Sequence, residues 1–254
     1  MDSNYLPPPW HVLLVCSPGR RPASIWNDSP SVWVKLLQMQ LLSQPRIAVL
    51  GAGHVGPVIA RMAIAAGHHV SISASGNPEK IALMTQILVP GAEPLWAADA
   101  VADADIVVLS IPLHRFADLD PGLVAGKLVV DAMNYWPPVN GVQEMFEDPR
   151  FTSSEIVQRR LARSTVVKTL NHIGYHEMEE GRRPAGSPER RALGVAADDP
   201  GAVDVVAEVI ERIGYDAVRL YSLSAGRLLE PGNPVFGVPL HRAEFELALH
   251  APVA

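Results

Sequence analysis

The sequence predicts an α/β fold, a doubly wound and mostly parallel sheet with a small C-terminal helical portion. Three observations predict it. A short β-branched run at residues 46–50 leads through a glycine-rich turn into an apolar helical pattern at residues 55–66. Further short apolar runs, typical of buried parallel strands, alternate with helical patterns. Only a short segment follows the last of these runs, which ends at Leu220.

The turn after the first strand has the GxGxxG spacing and reads Gly51-Ala52-Gly53-His54-Val55-Gly56. In such a turn the first glycine permits the bend, the second lets the backbone approach a pyrophosphate, and the third lets the helix pack on the strand. The free N–H groups and the positive end of the helix dipole then face the phosphates. Because a strand precedes the turn and a helix follows it, we expect a dinucleotide-binding Rossmann site.

The end of the second predicted strand bears on the choice of dinucleotide. Residues 68–73 form this strand, and residues 78–88 form the helix after it. An NAD site expects Asp or Glu about 20 residues after the glycines, where it binds the ribose 2′-hydroxyl. The chain has small neutral residues there, followed by a lysine. The residues predicted to accept a 2′-phosphate, and so to favour NADP, are Ser75, Gly76, Asn77 and Lys80.

Two further predicted strands, at residues 105–112 and 127–130, end at the same edge of the sheet, with a short helix at residues 98–104 before them. Since the carboxyl ends of parallel strands open on the nucleotide crevice, their tips should lie where a nicotinamide ring sits. The predicted cofactor contacts at these tips are Ile111, Pro112, His114 and Asn134. His114 either hydrogen-bonds the cofactor or substrate, or caps the following turn. Residues 136–138 are predicted as a loop.

The second half of the chain continues the pattern. Thr152 to Glu155 predict a capped helix start. The strand at residues 164–171 ends in Asn171 and His172, the polar groups that we expect to face the acceptor as catalytic residues. The remaining predicted elements are a strand at residues 192–197, a helix at 199–213, a strand at 215–220, and helices at 223–229 and 241–250.

A charged loop at residues 179–191 separates these elements and leaves two interpretations open. The loop is either simply solvated, or its arginines bind an anionic substrate. The arginines concerned are Arg182, Arg183, Arg190 and Arg191.

Composition excludes several function classes. The chain has 254 residues, of which 48% are hydrophobic and 19% charged, and its net charge is −6. The acidic balance argues against general nucleic-acid binding, which requires a basic surface. No apolar run has the length of a membrane span, and the single cysteine, Cys16, excludes an intrachain disulfide framework. We therefore expect a cytoplasmic protein that binds a small-molecule substrate, with no membrane partner and no metal site.

The chain divides into three predicted parts. Residues 1–44 form an extension rich in proline and tryptophan, residues 45–165 the NADP-binding Rossmann domain, and residues 166–254 a C-terminal portion that closes over the substrate. The extension lacks lasting periodicity, and Met39 lies just ahead of the first strand. One hypothesis is that Met39 is the biological start and that residues 1–38 come from an over-long reading of the gene. The alternative is a partner-binding arm.

Several segments together resemble the NADP-dependent reductases of the deazaflavin coenzyme F420. The resemblance covers roughly residues 46–237 and is carried by the segments RIAVLGAGHVG, SASGNPEK, IVVLSIP, VVDAMNYWPP, SSEIV, VVKTLN, IGYDAV and LSAGRLLEP. It implies hydride exchange between NADPH and a deazaflavin or flavin-like acceptor. It also implies a small C-terminal portion that closes over the crevice, and a homodimer.

The resemblance also implies cofactor contacts. By position, the turn at residues 51–56 is similar to the NADP-contacting motifs of the family, and so are Ser75, Asn77, Ile111, Pro112 and Asn134. One position departs from the pattern, because Gly76-Asn77 stands where the family usually has an arginine near the 2′-phosphate.

Two other functions remain open. One is a different NADP enzyme, of the imine or β-hydroxyacid reductase type. Such enzymes tend to carry a catalytic lysine or a long helical C-terminal domain, for which the segment after Leu220 is too short. Lys168 is the candidate lysine, although its place inside an apolar strand favours a structural role. The other is a non-catalytic redox sensor that binds NADPH and contacts a partner through the charged loop or the N-terminal extension.

Overall fold

The computed structural model describes residues 44–250 of the chain. The predictions for the N-terminal extension, including the start at Met39, lie outside the described residues. Within residues 44–250, no helix is both long and apolar enough to cross a membrane.

One eight-stranded sheet organises the described chain. Its spatial order is β3-β2-β1-β4-β5-β6-β7-β8, and every neighbouring pair is parallel except β6 and β7. The strands are β1 Ile47–Leu50, β2 Val70–Ser73, β3 Glu93–Pro94, β4 Ile106–Leu109, β5 Leu128–Asp131, β6 Thr165–Lys168, β7 Ala192–Ala196 and β8 Asp216–Leu220. The chain order reverses between β1 and β4. In an open α/β sheet this switch point is where a ligand crevice forms.

Helices connect the strands. The α-helices are α1 Val55–Ala65, α2 Glu79–Leu88, α3 Ala97–Ala102, α4 Pro137–Asn140, α5 Ser153–Arg160, α6 Pro200–Arg212 and α7 Arg242–Ala248. Among the described residues, three 3₁₀ helices span Leu113–Asp118, Glu144–Phe146 and Leu223–Leu229. The predicted α/β class, a doubly wound and mostly parallel sheet, is thus confirmed.

The core lies on both faces of the sheet. Ile47 and Val49 of β1 point to one face and pack in the cluster that contains α1 and α6. Ala48 and Leu50 point to the other, where α3, α5 and the 3₁₀ helices lie. This alternation follows from the two-residue period of a strand, and burial on both faces explains why the strands read as continuous apolar runs.

The division at residues 165–166 runs through a single core. The cluster against α1 and α6 takes residues from both predicted portions, from Ile47 in β1 to Ala217 in β8. The two predicted portions share this core, and their separate roles, in nucleotide binding and in closing over the substrate, stay a prediction.

Local sequence signals explain several boundaries. Thr152 caps α5 by accepting the N–H of Glu155 at 3.0 Å, while the Glu155 carboxylate accepts the N–H of Thr152 at 2.7 Å, which is the predicted capping box. Asp199 caps α6 through the N–H of Ala202 at 3.0 Å. These two helix starts are fixed by side chains adjacent in sequence.

One local prediction is wrong, and one short strand was not predicted. The segment predicted as a loop contains the single-turn helix α4, which begins with two prolines; proline has the right φ for a first turn and loses no hydrogen bond there. The helix predicted at residues 223–229 is present as a 3₁₀ helix. The two-residue strand β3 was not predicted, because it is too short to have a recognisable pattern.

Candidate nucleotide-binding site

The glycine-rich turn lies at the switch point and is tightly fixed to β4. The hydroxyl of Ser110, just after β4, is 3.2 Å from the carbonyl oxygens of both Leu50 and Gly51. Gly51 has a φ of +125°, a conformation that L side chains rarely adopt. A Cβ at Gly56 would overlap the carbonyl oxygen of Gly51 and lie 2.8 Å from the Ser110 hydroxyl oxygen. The turn therefore requires glycine at these two positions.

The opposite side of the turn is open. Gly53 and His54 are exposed, and a Cβ built on Gly53 meets no atom within 4 Å. No side chain caps the start of α1, in contrast to α5 and α6. The first N–H groups of α1 thus have no side-chain acceptor, and both these donors and the open backbone fit the phosphates of a dinucleotide.

The segment after β2 combines the predicted 2′-phosphate residues with a carboxylate. Ser75, Gly76 and Lys80 are exposed. Asn77 accepts the N–H of Glu79 at 2.9 Å through its side-chain oxygen, and its amide nitrogen donates to the Glu79 carboxylate at 3.2 Å. The amide predicted to bind a 2′-phosphate is therefore hydrogen-bonded to an acidic residue, and the segment is less neutral than predicted.

We expect Glu79→Gln to raise kcat/KM for NADPH about threefold to fivefold at low salt and to leave kcat/KM for NADH unchanged. A carboxylate a few ångströms from a phosphate in solvent repels it by about 1 kcal/mol, which is about fivefold in affinity. Initial rates with both dinucleotides at low and high ionic strength measure the effect, which salt should reduce. Glu208→Gln, which removes an exposed carboxylate on α6, is the control for net charge. An unchanged NADPH-to-NADH ratio would place the 2′-phosphate away from Glu79.

The tips of β4 and β5 line the same crevice edge. Ile111 is partly buried, whereas Pro112 and His114 are exposed. His114 lies in the 3₁₀ helix that starts at Leu113, and no side chain caps that start. Asn134 is partly exposed just beyond β5. The predicted cofactor residues of these tips therefore lie next to the switch point, where the strand order places them.

Asn134 and Asn171 form a reciprocal pair across the tips of β5 and β6. The Asn134 amide nitrogen donates to the backbone carbonyl of Asn171 at 2.6 Å, and the Asn171 amide nitrogen donates to the side-chain oxygen of Asn134 at 2.9 Å. The Asn171 amide also donates to the carbonyl of Leu229 at 2.6 Å. Among residues 44–250, these contacts leave one N–H of Asn134 without a protein acceptor.

His172 lies behind this pair and is 3% exposed. Its Nε2 accepts the backbone N–H of Gly194 at 3.1 Å, so the proton of the neutral ring is on Nδ1, which lies 3.3 Å from the side-chain oxygen of Asn171. Burial and the nearby Lys168 ammonium lower the pKa of His172 to about 3. The ring is neutral near pH 7 and engaged on both nitrogens, and the catalytic role of Asn171 and His172 stays a prediction.

The backbone just before Asn171 is strained. Leu170 has a φ of +65°, and it is the single non-glycine residue with a positive φ among those described. A residue in this conformation costs about 1–3 kcal/mol, and it persists where surrounding contacts over-determine it. The hydrogen bonds of Asn171 and His172 supply such contacts, so the chain turns sharply after β6 to hold Asn171 at the crevice.

A segment after His172 contacts the glycine-rich turn at His54. The rings of Tyr175 and His54 stack with their centroids 5.3 Å apart. Glu179, farther along, forms a bidentate ion pair with Arg61 of α1, with an Nε–Oε1 distance of 2.8 Å, and Arg61 also donates to the carbonyl of Leu88 at 3.0 Å. Tyr175 is therefore a candidate site residue that sequence reasoning missed, because nothing in its local sequence indicates a contact with His54.

An aromatic pair lies next to the segment that carries Asn134, because Trp136 follows Asn134 by two residues. Trp136 and Phe236 meet edge to face with centroids 6.1 Å apart, and Trp136 is 45% exposed. The N–H of Gly237 donates to the carbonyl of His172 at 2.8 Å. This bond ties the segment that carries Phe236 to the tip of β6, so an exposed apolar surface adjoins the crevice.

The four arginines of the charged loop bond within the protein. Arg190 is buried, with its Nε 2.8 Å from Asp216, and Arg191 pairs with Glu177 at 2.8 Å. Arg182 donates to the carbonyl of Ile213 at 2.7 Å, and Arg183 to that of Glu180 at 2.7 Å. These contacts give the arginines a structural role, and the interpretation that they bind an anionic substrate is not supported.

A buried polar cluster lies beneath the crevice. Lys168 and Asp131 are 3.3 Å apart and essentially inaccessible to solvent, and Lys168 also donates to the carbonyl of Met133 at 2.5 Å. The hydroxyl of Ser154 donates to the Asp131 carboxylate at 2.6 Å. Because its ammonium group is buried and contacts both Asp131 and the carbonyl of Met133, Lys168 has the structural role that its position in a strand favours. In the part of the chain that the structure describes, no three metal-ligating side chains come together.

The chain was compared with known proteins in sequence and in structure. No curated protein matches the chain by sequence. A hypothetical protein from Sinorhizobium meliloti is similar in structure, with a TM-score of 0.69 at 26% identity over 81% of this chain and 98% of that chain. A candidate F420-dependent NADP-reductase from Arthrobacter sp. has a TM-score of 0.63 at 25% identity, over 78% of this chain and 100% of that chain.

More distant structures agree in fold. A reductive aminase from Aspergillus terreus, solved with NADPH and ethyl levulinate, has a TM-score of 0.50 at 14% identity, over 73% of this chain and 58% of that chain.

Residues 46–135 match the model of the family described as NADP oxidoreductase, coenzyme F420-dependent. The resemblance to the coenzyme F420-dependent NADP oxidoreductases that the sequence predicts is thus confirmed, with the family match lying over residues 46–135.

Proposed function

We propose that this protein is an NADP-dependent oxidoreductase that transfers a hydride between NADP(H) and a deazaflavin, coenzyme F420, or a flavin-like acceptor. The observation that carries the proposal is the open, uncapped turn at Gly53 and His54, at the switch point of a sheet whose residues 46–135 match the family. The acceptor follows from the resemblance, and the exposed Trp136 beside the crevice supports a flat ring there.

The protein's own contribution is binding and alignment. When bound, NADPH supplies the hydride, so no side chain needs to act as nucleophile. The backbone at Gly53 and the first N–H groups of α1 hold the pyrophosphate. Asn134 orients the nicotinamide end of the dinucleotide. The segment with Tyr175, which stacks on His54, excludes water from the cofactor site. Such alignment of two reacting rings removes much of the entropic barrier to transfer.

A mixing experiment tests the proposal. The purified full chain is combined with NADPH and oxidised coenzyme F420, and the visible absorbance of the deazaflavin is followed, with parallel runs using NADH and using FMN as acceptor. We expect the absorbance to bleach, faster with NADPH than with NADH. Tight binding of NADPH without bleaching of either acceptor would contradict the reductase and favour the non-catalytic sensor. The homodimer and the cytoplasmic location stay predictions.

A further inference from the structure

We propose that His172 is a positioning residue: through the side chain of Asn171 it fixes Asn134, whose remaining N–H binds the carboxamide of the nicotinamide ring. The inference rests on the proposed function and names a role that neither the family match nor the sequence assigns. His172 takes no part in proton transfer in this role.

The first step is the orientation of the Asn171 amide. Its nitrogen has two hydrogens, and they are used by the carbonyl of Leu229 at 2.6 Å and the side-chain oxygen of Asn134 at 2.9 Å. This arrangement requires the amide oxygen to face His172, whose Nδ1 lies 3.3 Å away. A ring that donates from Nδ1 favours this orientation over the flipped one, in which two N–H groups would face each other.

The second step is the tautomer of His172. The N–H of Gly194 in β7 points at Nε2 at 3.1 Å, and a backbone N–H can only donate. Nε2 is therefore unprotonated, and the neutral ring must carry its proton on Nδ1. The Phe245 ring packs against the imidazole in an edge-to-face arrangement, with the two ring centroids 5.8 Å apart, and restricts the imidazole further. A backbone group of the neighbouring strand thus determines which atom of the His172 ring faces Asn171.

The third step is the group presented to the ligand. Asn134 accepts from Asn171 with its oxygen and donates to the Asn171 carbonyl with one N–H, so its amide plane is held at two points. Its other N–H has no acceptor among the described residues, and the side chain is partly exposed at the carboxyl end of β5. A carboxamide carbonyl is an acceptor of matching chemistry, and the edge of β5 is where the nicotinamide end of the dinucleotide is expected.

Two complementary variants test the relay. His172→Gln can place an acceptor near the Gly194 N–H but no donor at the Nδ1 position, whereas His172→Asn can place a donor near Asn171. Dissociation constants are measured for NADPH and for 2′-phospho-ADP-ribose, which lacks the nicotinamide, on the full-length protein. We expect His172→Gln to weaken the binding of NADPH about threefold to tenfold and to leave the binding of 2′-phospho-ADP-ribose unchanged. His172→Asn should bind NADPH about as tightly as the natural protein does.

A second readout is the face of the nicotinamide ring from which the hydrogen is transferred. With NADPH deuterated on one face of the nicotinamide, the natural protein should transfer hydrogen from one face, while His172→Gln should transfer from both. An equal loss of affinity for both ligands, or no loss for either, would overturn the relay. Failure of the natural protein to bind NADPH would instead overturn the proposed function, so the two failures are distinguishable.

Discussion

A Gly53→Ala variant is expected to fold like the natural sequence and to bind NADPH at least about tenfold more weakly. A methyl group at this position meets no protein atom within 4 Å, and Gly53 does not have a positive φ, so the fold loses nothing. The same methyl group occupies space that a pyrophosphate needs when it approaches the backbone. Overpacking by one methyl group costs about 1–3 kcal/mol, and 1.4 kcal/mol is a factor of ten.

Gly56→Ala provides the matched comparison. Its Cβ would overlap the carbonyl oxygen of Gly51 and crowd Ser110, so this variant should lose thermal stability as well as affinity. Titration of NADPH fluorescence and thermal unfolding of both variants separate the two effects. Natural affinity in Gly53→Ala would mean that the dinucleotide does not approach this turn, and the proposed site would have to be abandoned.

The fold was predictable because its signals are local. The GxGxxG turn, the capping box at Thr152 and the proline-led start of α6 each depend on residues within one or two turns of each other. Short-range spacing of this kind can be recognised in a single sequence. The strand order then follows from how parallel strands connect. The position of the crevice therefore follows from the sequence.

The inner part of the candidate site was not predictable in the same way. Glu179 meets Arg61 across 118 residues, and Gly194 meets His172 across 22. Asn171 and His172 were recognised as polar groups at a strand end, but their partners depend on how β7 and the loops pack. Sequence periodicity indicates which residues are buried, and says nothing of which buried polar atoms face each other.

The largest effect on stability is expected at the buried pair of Lys168 and Asp131. Lys168→Met should lower the free energy of unfolding by about 3–5 kcal/mol, because it leaves a charged carboxylate buried without its cation. Methionine keeps nearly the length of the methylene chain, so the packing against Gly226 changes little. Chemical denaturation monitored by circular dichroism measures the loss.

The double variant Asp131→Asn with Lys168→Met isolates the cause. Asparagine retains an acceptor for the N–H of Met133 and a partner for the Ser154 hydroxyl, and no charge remains buried. Replacement of a whole buried ion pair is often neutral, so the double variant should recover most of the lost stability. If the double variant is as unstable as Lys168→Met alone, the loss of stability comes from the carbonyl of Met133, which then lacks the hydrogen bond that Lys168 donates. In that case Lys168 acts mainly as a hydrogen-bond donor that shapes the tip of β5, directly beneath Asn134.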